Sequence, residues 1–204
     1  LLRSLHLGLQ PKGNNMEHSE ALNASDAQQV SVSKSGEMHE SAHASGFYTA
    51  TLYDKDGNIK WTDTIKNLVT TVGGNLALDT VLAGSAYTAA VVMGLKGVGT
   101  AVIGDTQASH ASWLEVGLAN APAYSGNRKT PAWSAASAKS KVTSAAVSFT
   151  FTSGGTVAGC FINLAGSATV DNTTGTLYSA GDFSGGNKTV ASTDVLNVTY
   201  TASI

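Results

Sequence analysis

The sharpest chemical pattern in the chain is His39-Glu40-Ser41-Ala42-His43, an H-E-x-x-H pentapeptide. On a helix that spacing sets two imidazoles one turn apart to hold zinc, with the glutamate placed to activate a water. Gly46 stands where the longer form of the motif has its glycine, but Thr49 occupies the position of the third histidine. The flanks Ser33-Lys34-Ser35-Gly36 and Ala44-Ser45-Gly46 offer no apolar stripe to seat a helix. Ligands on unsupported backbone lose their preorganisation. Chance explains the match better than a zinc peptidase does, so no catalytic, cofactor or metal residue is assigned.

The remaining candidates are weaker. Asp54-Lys55-Asp56-Gly57-Asn58 resembles the start of a calcium loop, yet the twelfth position, where an EF-hand needs glutamate, is Ile65. A hairpin turn explains the same residues. Gly97-Val98-Gly99 is followed by Val102 where a dinucleotide fingerprint needs its third glycine. There is no G-x-S-x-G and no P-loop. His110 has no Ser or Cys partner in a recognisable frame and reads as structural. Asn23, Asn172, Asn187 and Asn197 head N-x-S/T triplets, which chance supplies in a chain rich in Ser and Thr. The single cysteine, Cys160, excludes an intrachain disulfide and alternates with Ala158, Ile162 and Leu164 as a buried small hydrophobe.

Composition points away from charge-driven partners. Charged residues make up 13% of the 204, about half the roughly 25% usual in soluble domains. Gly, Ala, Ser and Thr take their place, and such a surface is cheap to desolvate against neighbours. A formal net charge of −2 provides no field toward nucleic acid or membrane, so neither is expected as a partner. Arg128, Lys129, Lys139 and Lys141 form the one basic cluster, in loop-like sequence, and read as a solvated rim. No run approaches the ~18 apolar residues of a membrane span, and the opening Leu1–Leu9 is too short for a signal-peptide core.

All fourteen Phe, Tyr and Trp residues lie from Phe47 onward. That split predicts an extended polar N-terminal arm, 1–45, and a β-rich body, 46–204. An arm without aromatics buries too little apolar area to offset the entropy of its own ordering. Within it, Leu5, Leu7 and Leu9 alternate with His6 and Gly8, the period of a short strand suited to a neighbouring sheet edge.

In the body, Tyr48, Ala50 and Leu52 share a face, 54–58 turns, and Ile59 and Trp61 return as a hairpin. From Asn67 to Ala83 apolar residues recur at helical spacing, with Gly84 as a stop; Gly73-Gly74 argues for a start only at Asn75. Asp105 reads as the N-cap of a second short helix running through His110. Val147, Phe149 and Phe151, then Ala158 to Leu164, then 177–183, then Leu196 to Ala202 read as strands between Gly turns. The expected fold is mainly β: an antiparallel β-sandwich or jelly-roll-like body with one or two short helices.

Several phrases are similar to structural proteins of tailed bacteriophage virions. They are 65–75 (Ile65-Lys66-Asn67-Leu68-Val69-Thr70-Thr71-Val72-Gly73-Gly74-Asn75), 82–87, 108–115, 128–134, 175–181 and 196–200. The resemblance spans about 46–204, and within that group the chain resembles head decoration (cement) proteins. It implies a non-enzymatic protein on the outer surface of the capsid, bound to the assembled major capsid protein and to itself as a homodimer or homotrimer. Interface candidates are Leu5, Leu7, Leu9, Trp113, Trp133, Arg128 and Lys129. The alternative is a tail or fibre protein that binds a host receptor or glycan, with Trp113, Tyr124 and Trp133 as a stacking surface for sugar; the same three aromatics also read as core or interface anchors.

Overall fold

The computed structural model describes residues 44–82 and 90–204, with the backbone of two short strands upstream, β1 (Val30–Val32) and β2 (Met38–Glu40). The chain divides into two units, Leu1–Ala42 and His43–Ile204. In the first, β1 and β2 pair antiparallel with Ser31 opposite His39. His39 and Glu40 therefore sit in extended backbone, without the helical turn that the zinc spacing requires, and His43 lies outside the described residues. Leu5, Leu7 and Leu9, and with them the expected edge strand, also lie outside the described residues; of the expected arm, 1–45, the structure describes β1, β2 and residues 44–45.

The second unit is mainly β, with antiparallel sheets and one short helix. In chain order its elements are β3 (Ser45–Tyr53), β4 (Ile59–Lys66), β5 (Leu68–Val69), α1 (Thr71–Leu82), β6 (Val91–Lys96) and β7 (Glu115–Val116). There follow β8 (Ser140–Val142), β9 (Val147–Thr150), β10 (Gly155–Val157), β11 (Gly159–Leu164), β12 (Thr176–Asp182), β13 (Lys188–Val190) and β14 (Val195–Ser203). One sheet runs β4–β3–β14–β8, with β9 also paired to β14. The other runs β5–β12–β11–β6–β7, and β10 and β13 form a separate two-stranded sheet.

The first sheet follows the period-two pattern. Tyr48, Ala50 and Leu52 of β3 and Leu196, Val198 and Tyr200 of β14 point inward, each at most 1% exposed. They meet Met93, Leu95, Cys160 and Ile162 of the second sheet in one core. Tyr48 Oη and Ser179 Oγ, 2.9 Å apart, join the two sheets through that core, so the buried phenol has its polar partner. Burial and the neighbouring Tyr200 raise the Tyr48 pKa, which keeps the phenol neutral.

The second sheet is covered on both faces, which is why β11 is buried at five consecutive residues, Gly159–Asn163. Its outer face carries a second, smaller core of Trp113, Phe161, Leu177 and Ala180, roofed by α1 and by the loop that includes Ala101. The helix starts four residues before Asn75. Thr70 caps it: its Oγ1 accepts from the Gly73 amide at 3.1 Å and its carbonyl from the Gly74 amide at 2.9 Å. Gly73 belongs in the helix because a Cβ there would collide with the Tyr178 backbone. The close approach of helix to strand outweighs the ~1 kcal/mol that glycine loses to alanine in a helix.

The second helix expected after Asp105 does not form. The Asp105 carboxylate accepts from the Val102 amide behind it at 2.9 Å and from the Trp113 indole at 2.8 Å. It closes a turn instead of capping the amides ahead of it, and the backbones of Thr106 and Ser109 then bond to each other across a tight turn.

Candidate functional site

A polar cleft of about 350 Å³ has walls that include Gln107, Ser109, His110, Asn120, Asp171 and Thr173. Its back wall is held by ion pairing. Arg128 grips Glu115 with two bonds, Nε to Oε1 at 2.8 Å and Nη2 to Oε2 at 2.6 Å, with both side chains at most 3% exposed. The guanidinium also donates to the Ser167 and Asn172 carbonyls at 2.9 and 2.7 Å and lies over the Phe161 ring. Glu115 Oε2 takes the Asp171 amide as well, at 2.9 Å. Beyond their bonds to each other, Arg128 Nη1 and Nη2 and Glu115 Oε2 thus bind loop backbone around the cleft.

His110 stacks on Trp113 with ring centroids 3.9 Å apart and planes 16° from parallel, and its Nδ1 is 2.9 Å from the Trp113 carbonyl. Trp113 itself is 1% exposed, so it anchors the roof and offers no face to a ligand. The chemistry this arrangement performs is positional: it fixes three loops on the sheet. Among the described residues no group of three or more His, Cys, Asp or Glu gathers where a metal could bind. Cys160 is fully buried, and burial pushes its thiol well above the ordinary range, away from nucleophilic reactivity.

The other residues singled out by sequence do not converge here. The basic cluster dissolves. Arg128 is internal, Lys129 Nζ donates to the Ser125 carbonyl at 2.6 Å over the Tyr124 ring, and burial lowers its pKa. Lys139 lies in an exposed tight turn between Ser137 and Ser140, and Lys141 bonds the Ser134 carbonyl at 3.0 Å. Of the three aromatics proposed for sugar stacking, Trp113 and Tyr124 are buried, and Trp133 is half-buried with its edge toward Tyr200. They form no common platform. The calcium-like loop is a turn: Asp54 Oδ1 accepts from the amides of Asp56 and Asn58, at 2.9 and 2.8 Å.

Two further charge pairs were not apparent from the sequence. Lys96 ends β6 fully buried, its Nζ 2.5 Å from Asp182 Oδ1 and bonded to the Gly97 and Gly99 carbonyls. Gly159 stands in register between Lys96 and Asp182, so no side chain separates the ammonium from the carboxylate. Asp63 receives Lys188 Nζ at 2.7 Å, Ser184 Oγ at 2.6 Å and the amides of Thr64 and Gly185. Burial opposes its ionisation, but these donors outweigh it and hold the carboxyl down at about 2.

Among the described residues no helix is long and apolar enough to cross a membrane. Comparison with protein-family models, with curated proteins and with solved structures gives no match.

Proposed function

We propose that the protein is a non-enzymatic virion structural protein, a decoration protein that binds the outer surface of an assembled capsid shell. The observation that carries this reading is where the charges go. Arg128, Glu115, Lys96 and Asp63 are all turned inward to brace loops and strands, in a chain that is only 13% charged. What remains outside is a surface poor in charge for its size, with comparatively little hydration to lose, suited to burial against a protein lattice. The resemblance of residues 46–204 to tailed-phage structural proteins supports the same reading.

The physical logic is multivalency. Several modest contacts, repeated around a shell and tied through one rigid body, add into firm attachment without any strong single site. The partners are the major capsid protein and further copies of this chain, and the location is the outer capsid surface. Co-sedimentation with purified shells tests it. Saturable binding at a fixed ratio to the capsid protein is expected, and protein left wholly in the supernatant would refute the proposal.

A further inference from the structure

We propose that the outward face of α1 is a self-association surface, on which a second copy of this chain docks antiparallel about a twofold axis. Gly74, Leu78, Val81 and Leu82 recur at i, i+4, i+7 and i+8, a single helical face. Leu78, Val81 and Leu82 are 58%, 79% and 80% exposed. The opposite side of the helix packs on β12 with Gly73 against Tyr178. A helix that is apolar on both sides is normally covered on both.

Gly74 is an independent second observation. Unlike Gly73, among the described residues it has nothing within 4 Å of where a Cβ would stand, and its φ is not positive. The described part of the fold therefore gives no reason for glycine in a helix interior, where alanine is favoured. Absence of a side chain gains a purpose when another chain approaches closely at that point.

The shape of the face selects a second copy as the occupant. It is bare at Gly74 and bulky at Val81 and Leu82, eight residues and about 12 Å further along. Two such helices run antiparallel with Leu78 against Leu78 bring Leu82 of each over Gly74 of the other. The taper fits its own reverse, as an isologous contact requires.

Charge agrees with this choice. Residues 71–82 carry only Asp79, and residues 97–104 carry no charged side chain. Val102 and Ile103, 49% and 61% exposed, extend the patch, because the Ile103 carbonyl accepts the Thr71 amide that opens the helix. A nucleic acid or charged peptide would meet no complementary charge here. A stable pair contributes about 800 Å² from each partner, so these five aliphatic side chains would form the centre of the contact and the residues around them its rim.

Sedimentation equilibrium of the full chain from about 1 to 200 µM tests the proposal. Wild type is expected to dimerise. Leu82→Glu should remain monomeric, and Gly74→Ala should raise the dissociation constant tenfold or more while raising the Tm of the dilute monomer by a few degrees. Neither side chain packs inside the monomer, so circular dichroism should show an unchanged fold. A wild type that is monomeric throughout, or a dimer whose dissociation constant neither substitution alters, overturns it.

Discussion

The two sides of this body use the same residue types to opposite ends. Across the sandwich interior, Leu52, Leu196 and Phe149 are 0% exposed. On the roof of the second sheet, Leu78, Val81 and Leu82 lie open at 58–80%. Both sets have a clean periodicity, two for the strands and 3.6 for the helix. Periodicity reports which side chains share a face; it is silent on whether the same chain covers that face. The adjacent glycines repeat the contrast on the scale of one residue, Gly73 pressed on Tyr178 and Gly74 facing empty space.

The largest expected effect comes from breaking the ion pair beneath the cleft. Arg128→Ala leaves Glu115 buried without its partner and should cost about 3–5 kcal/mol by urea denaturation. Leu196→Ala in the interior follows at about 2–5 kcal/mol, whereas Leu82→Ala on the roof should stay within roughly 0.5 kcal/mol in the monomer. A roof residue as costly as the interior one would erase the comparison.

Asp63 comes next. Its folded pKa lies below the unfolded value, so its contribution is complete above about pH 4 and fades as pH falls toward 2. Asp63→Asn should cost about 2 kcal/mol at pH 7 and flatten the acid limb of the stability profile. The smallest effects sharpen the glycine pair. Gly73→Ala should destabilise by about 1–3 kcal/mol through collision with the strand, and Gly74→Ala should stabilise the monomer by up to ~1 kcal/mol.

Much of the first sheet was legible in the sequence. Tyr48, Ala50 and Leu52 alternate without interruption, as do Leu196, Val198 and Tyr200, and the 54–58 turn separates its strands where expected. β6 escaped notice because it is buried on both faces. Val91–Leu95 is then a continuous apolar run with no alternation to read. The helix start was placed late because Gly73-Gly74 argued against helix, and only the contact with Tyr178 explains the first of those glycines. Asp105 has the composition of a cap but accepts from the Val102 amide behind it and from the indole of Trp113, a partner eight residues on.

The site residues were harder still. Arg128 reads as a surface base until Glu115, thirteen residues away, is folded against it. Trp113 reads as available until Phe161 and His110 enclose it. Pairing between loops leaves no local signature, so the sequence exposed the basic cluster and the aromatics but not their burial.

Electron cryomicroscopy of shells incubated with the full chain at low and high salt addresses the functional reading most directly. A contact surface poor in charge predicts density on the capsid exterior at fixed lattice positions, with occupancy almost unchanged between about 50 and 500 mM salt. Bare shells under both conditions would contradict the account.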